Sequence, residues 1–203
     1  MAEIRAFVAF SGSEVLAQGD IETVIRSLVE LAAVDGASST LVFEESTGTQ
    51  VDFDLRGSAE EAIARLDSHP LFASAPGASR RRAGPGRPKL GVVSREVSLL
   101  PRHWSWLEAQ PGGISGALRR LVDEARRREP GKERARIVRE ALSKILWAVA
   151  GNFEGFEEAS RALFANDPAR FGELVAGWPP GVRDYSLSRF REARRFESET
   201  KAT

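Results

Sequence analysis

The chain has 203 residues, 42% of them hydrophobic, with 29 basic and 29 acidic side chains, two histidines and no cysteine. That apolar content excludes a wholly disordered chain, and the missing cysteines exclude disulfides and thiolate metal sites and suit a reducing, cytoplasmic setting. No apolar run approaches the roughly 20 residues of a membrane span, and MAEIRAFVAF has neither the basic start nor the small-residue cleavage site of a signal peptide.

In chain order, residues 4–10 (IRAFVAF) predict a strand with Ile4, Phe7 and Phe10 among its apolar members. SGSE at 11–14 then turns the chain back into a short VLA segment, a candidate hairpin. Asp20 predicts the cap of a helix to about Leu31, with Ile21, Val24, Ile25, Leu28 and Leu31 at helical spacing. Thr40–Phe43 and Gln50–Leu55 predict two more strands, joined by the turn residues Ser46, Thr47 and Gly48. In the second strand Val51, Phe53 and Leu55 alternate with Asp52 and Asp54. Ser58 and Glu61 form a capping-box pair opening a helix to about Leu66. Residues 1–70 thus read as a small acidic α+β domain, with 4 Lys/Arg against 13 Asp/Glu.

Residues 71–91 are rich in Gly, Pro, Ser and Arg and cannot build a core, so they predict a basic linker or arm. A strand–helix–helix segment follows at 92–128. Beyond a break at Pro130-Gly131, residues 129–203 predict a helical domain with helices near 132–150, 153–165, 168–177 and 181–197. Gly151-Asn152, Asp167-Pro168 and Pro179-Pro180 supply the boundaries. Ile137, Val138, Leu142, Ile145, Leu146 and Val149 form a stripe whose simplest cover is Phe153, Phe156, Leu163, Phe164, Phe171, Leu174 and Trp178. The expected fold class is α+β.

Charge singles out the middle. Residues 71–128 carry 12 Lys/Arg against 4 Asp/Glu, whereas 129–203 carry 13 against 12. Basic charge gathered into one segment is an electrostatic footprint for polyanions. Within it Val93, Val97 and Leu99 share one strand parity, and Val92, Ser94, Glu96 and Ser98 the other. Pro101 suits the first turn of a short helix bearing Trp104 and Leu107, and Pro111-Gly112-Gly113 breaks it. Ile114, Ala117, Leu118, Leu121, Val122 and Ala125 then mark a second helix, with Ser115 placed to cap it. So short a segment, with one edge strand, needs a second copy to cover its apolar surface.

This pattern resembles the ribbon-helix-helix family of bacterial DNA-binding proteins. The resemblance implies a homodimer whose core includes Val97, Leu99, Trp104, Leu107, Leu118, Leu121 and Val122. It implies a strand pair in the major groove, with Ser94, Glu96 and Ser98 toward the bases, and a phosphate held by backbone N–H groups at Ile114 and Ser115. The family's Gly-x-Ser turn matches Gly113-Ile114-Ser115. Glu96 departs from the pattern as a carboxylate on the groove face, and Arg95 as a charge on the inward parity. Just upstream, Arg80, Arg81, Arg82, Arg87 and Lys89 surround a Gly-Arg-Pro core that resembles an AT-hook, whose extended arginine enters a narrow A·T minor groove. The stretches GRPKLGVVSREVSLLPRHWSWL and AGNFEGFEEASRALF are also similar to an uncharacterised proteobacterial family known only as a domain of unknown function, which implies no activity.

The residue pattern argues against an enzyme. His69 and His103 are far apart in sequence and lack metal-ligand spacing. Asp52 and Asp54, with Glu44 and Glu45, are the sole candidates for an oxygen-ligand cation site, and a solvated strand face explains them more simply. No cofactor or metal is expected. The sequence therefore leads to the expectation of a cytoplasmic, nucleoid-associated homodimer that binds double-stranded DNA as a transcriptional regulator or nucleoid factor. The alternative is a protein-interaction module or antitoxin-like inhibitor, dimerised by 92–128 and engaging a protein partner through its N- or C-terminal domain. No membrane role is expected.

Overall fold

The structure is a computed structural model, and it describes residues 5–35, 40–72, 95–128 and 130–201. It is of mixed α and β class, and the chain divides into two compact units. One joins residues 1–69 to 130–203, and the other holds residues 70–129.

In the first unit, β1 (Phe7–Ser11) pairs antiparallel with β2 (Glu14–Gly19) and with β3 (Thr40–Glu44), and β3 pairs with β4 (Thr49–Gln50). The sheet order is β2-β1-β3-β4. The register Phe7↔Glu44 to Ser11↔Thr40 puts β1 in the interior of the sheet. Phe7, Val8, Ala9 and Phe10 are all fully buried. A continuous apolar run is what a strand covered on both faces requires, and FVAF is such a run. Helix α1 (Ile21–Asp35) packs on β1 and β2 and buries Val24, Ile25 and Leu28. Its first turn is held by Asp20, which accepts from the Thr23 N–H at 2.8 Å.

Val8, Phe10 and Phe43 belong to a core built mainly from the C-terminal helices. These are α5 (Pro130–Ala150), α6 (Phe156–Phe164), α7 (Pro168–Val175) and α8 (Pro180–Lys201). Leu142, Ile145, Leu163, Phe171, Val175 and Val182 are sealed in that core. The sequence separates 1–70 from 129–203; in the structure the two ends of the chain share one core. Two glycines set the distance between them. At Gly48 (φ +66°) a Cβ would lie 2.4 Å from the Ala141 carbonyl oxygen, so the β3–β4 turn rests directly on the α5 backbone. At Gly181 a Cβ would lie 2.6 Å from the Ser13 carbonyl oxygen, which also accepts from the Val182 N–H at 3.1 Å.

Several boundaries differ from expectation for local reasons. The strand expected over 50–55 ends early, because after Val51 donates to the Val42 carbonyl the chain turns to satisfy Asp54. The Asp54 side chain accepts from the Arg56 N–H at 3.2 Å, and its carbonyl accepts from Arg65 at 3.0 Å. Side-chain bonds to nearby backbone compete with ladder formation. The Ser58–Glu61 capping box forms and opens α2 (Ala59–Ala64), which a 3₁₀ turn extends through Ser68. Pro130 opens α5 as a first-turn proline, where a missing N–H is no loss, so the expected break at Pro130-Gly131 is a helix start. Residues 151–155 form a turn with Gly155 at φ +75°, and α6 begins at Phe156 instead of 153.

In the second unit, α3 (Pro101–Glu108) and α4 (Gly113–Arg128) make a helical hairpin. Gly112 and Gly113 turn the chain with φ of +84° and +70°. Pro101 occupies the first turn of α3 as expected. Helix α4 starts at Gly113, so Ser115 lies inside the first turn and is not the cap that the sequence suggests. Among the described residues, 95–100 form no strand. A strand that pairs across a two-fold axis has no ladder partner within one chain. No helix among the described residues is long and apolar enough to cross a membrane.

Candidate nucleic-acid interface

The α3–α4 hairpin buries little of its own apolar surface. Leu107 and Ala117 are enclosed, while Leu99, Trp104, Ile114 and Leu118 are half-buried. Val97, Leu121 and Val122 are 54%, 43% and 56% exposed, and Leu100 and Trp106 are comparably open. Of the residues expected in a dimer core, Leu107 alone is completed within the chain. An amphipathic helix is stable when its apolar stripe is covered, and here that stripe is half bare.

The polar side of the hairpin is bare in a different sense. The side chains of Arg95, Arg102, Arg119 and Arg120 are exposed and make no hydrogen bond or ion pair among the described residues. Asp123 and Glu124 stand four residues beyond Arg119 and Arg120, yet neither pair closes. An acid placed after its cation on a helix is the weaker order. Arg127 turns its Nε–H back onto the Asp123 carbonyl at 3.1 Å. Glu96 and Ser98 are exposed, and Arg95 forms no pair with Glu96. The N–H groups of Ile114 and Ser115 lie in the first turn of α4, where helical N–H groups lack intrahelical acceptors. Arg80, Arg81, Arg82, Arg87, Lys89 and Ser94 lie outside the described residues.

The carboxylates weighed for a cation are engaged by internal partners. Arg56 grips both oxygens of Asp54 at 2.8 Å, with Arg65 at 3.5 Å. That grip holds the Asp54 carboxyl well below the usual carboxylate range. Glu44 meets Arg5 at 3.4 Å and accepts from the Thr47 hydroxyl at 2.9 Å. Asp52 accepts from the Gln50 amide at 3.4 Å. Among the described residues no group of three or more His, Asp or Glu is placed to hold a metal ion. His69 stacks near Phe53, with ring centroids 5.0 Å apart, and its Nε2 faces the Asp52 carbonyl. His103 is exposed on α3.

Sequence reasoning missed a buried polar cluster in the first unit. Glu45 is almost fully enclosed and accepts from the Gln18 amide at 2.9 Å. Arg189 of α8 donates to the Glu45 carbonyl at 2.9 Å and pairs with Glu192. Tyr185 is buried beside them, and its hydroxyl has no hydrogen-bond partner. Burial, reinforced by the nearby Glu45 charge, pushes its phenol far above the ordinary value. Partners 144 residues apart leave no local signal. Two open clefts on this unit share Phe153 as a wall. One, of about 380 Å³, is lined by Gly12, Ser13, Leu41, Ala148 and Val149. The other, of about 590 Å³, runs past Glu154, Glu173, Leu174 and Trp178.

Residues 6–189 match a bacterial family described as "Uncharacterized protein conserved in bacteria", DUF2239, and the chain belongs to that family. No curated protein and no solved structure matches it.

Proposed function

We propose that this family member is a homodimeric DNA-binding protein, acting as a transcriptional regulator or nucleoid-associated factor. The observation that carries the reading is the half-covered α3–α4 hairpin. Its open apolar residues Leu121 and Val122, with Val97 in the segment just before it, are ones that a ribbon-helix-helix dimer would enclose. Two copies pair their 92–100 segments antiparallel, which removes the unpaired edge and covers the α4 stripe.

In this arrangement Ser94, Glu96 and Ser98 face base edges in the major groove, and Ile114 and Ser115 N–H groups hold a phosphate. The arm from Arg80 to Lys89 adds minor-groove and phosphate contacts. The charge balance supports the ligand, since 12 Lys/Arg against 4 Asp/Glu fall in 71–128 of a neutral chain. The test is selection of bound duplexes from random DNA, followed by salt titration of the winners. A recurring sequence bound with steep salt dependence supports the reading. Absence of enrichment together with flat or no binding overturns it.

A further inference from the structure

Arg119 and Arg120 have no part in the contacts assigned above. On α4, at 100° per residue, Ile114, Ala117, Leu118, Leu121 and Val122 gather on one side, while Arg119 and Arg120 straddle Asp123 on the other. A second copy that covers the apolar stripe therefore leaves both arginines in solvent. Their lack of a partner, shared among the described residues by Arg95 and Arg102 of the same basic segment and by Arg191 and Arg194 of α8, contrasts with most arginines of the first unit. In the first unit Arg26, Arg136, Arg139, Arg161, Arg170 and Arg183 each meet a carboxylate. An unpaired guanidinium keeps all of its N–H donors free, in a planar fork that matches phosphate oxygens bidentately.

We infer that Arg119 and Arg120 form a second phosphate-binding surface on α4 and grip the backbone of the same duplex DNA. The inference rests on the DNA-binding reading and extends its contacts from the arm and the helix start to the outer face of α4. The ligand follows from charge: a duplex carries about one negative charge per 1.7 Å of axis, so adjacent cations meet acceptors without needing a matched pair of side chains. The two-fold axis repeats the pair on the second copy. Such contacts add affinity equally to all sequences and leave base preference untouched.

The test uses the full chain and a labelled duplex, with binding followed by anisotropy between about 50 and 200 mM salt. R119Q/R120Q is compared with R191Q/R194Q, which removes the same charge from exposed positions on α8 of the first unit. In R119Q/R120Q the slope of log affinity against log salt should flatten by about 0.9 for each phosphate that the variant no longer neutralises, and R191Q/R194Q should bind like the parent. An unchanged slope in R119Q/R120Q, while the parent binds, overturns this inference and leaves the DNA-binding reading standing. So does an equal loss in both variants, which reduces the effect to net charge. A parent protein that fails to bind duplex overturns the DNA-binding reading itself. Parent binding to polyglutamate but not to duplex, lost in R119Q/R120Q, would give the surface to an acidic protein partner and also overturn the inference.

Discussion

The two units of this chain are built from the same materials and finished differently. In the first, a strand buried on both faces and helices α5–α8 enclose most of their apolar side chains, although Trp147 and, against the expected stripe and its cover, Ile137 and Phe164 stay exposed. There most arginines are paired with carboxylates, as Arg136 is between Glu133 and Glu140. In the second, α4 has just as clear an apolar stripe but leaves Leu121 and Val122 open, and its cations Arg119 and Arg120 stay unpaired. What distinguishes the second unit is that its open apolar and cationic groups lie together on one short hairpin, where the proposed dimer and its DNA would cover them.

The contrast breaks most sharply at Arg189. Removing it by Arg189→Ala leaves Glu45 buried with Gln18 as its remaining side-chain partner. Deleting one member of a buried charged pair costs about 3–5 kcal/mol, so urea unfolding of the first unit should shift by that order. Arg119→Ala, equally a lost arginine, should leave the same transition within about 0.5 kcal/mol of the parent, as exposed substitutions do. If both variants unfold alike, the distinction between paired and free arginines fails.

Leu121→Asp addresses the other half of the comparison. A charge buried without a partner at a two-fold interface costs several kcal/mol, so the variant should sediment as a monomer at micromolar concentration while the urea transition of the first unit holds. Loss of that transition too would show that Leu121 supports folding and not assembly.

Glycine substitutions sharpen the picture on a smaller scale. Gly48→Ala meets the Ala141 carbonyl in addition to its left-handed backbone, whereas Gly112→Ala meets nothing within 4 Å. The backbone alone costs about 1–2 kcal/mol. Gly48→Ala should therefore destabilise clearly more than Gly112→Ala, and equal thermal shifts would contradict the direct seating of the β3–β4 turn on α5.

The smallest effect is acid sensitivity. Arg56 lowers the Asp54 carboxyl below its unfolded value, which is ordinarily about 3.9. Its stabilisation is then present above about pH 4 and lost as pH falls through the folded value. Asp54→Asn should flatten that limb slightly and leave neutral-pH unfolding nearly unchanged. A steeper acid limb in the variant would contradict the assignment.

What the sequence made legible was local. FVAF at 7–10, the Asp20 cap, the Ser58–Glu61 box and the Asp167-Pro168 start of α7 are written within a few residues, and each forms. The shared core of the first unit was not legible, because residues 70–129 separate its two halves in the chain. The apolar stripe of α5 found plausible cover among the following helices, so nothing in the pattern required Val8, Phe10 and Phe43 as well. Asp54 escaped the alternation rule because its arginine partners, one of them eleven residues away, outweigh a ladder bond. In the candidate interface, periodicity was enough to mark the α4 stripe. That Arg119 and Arg120 stay free of Asp123 and Glu124 depends on side-chain geometry, which spacing alone leaves open.

Sedimentation velocity of the full chain, alone and with a duplex recovered by selection, tests the central claim most directly. The account predicts a species of twice the 22.2 kDa chain mass at micromolar concentration, and two chains travelling with each duplex at low salt but released as salt rises. A chain that sediments as a monomer under all conditions, and leaves the duplex boundary unmoved, would contradict it.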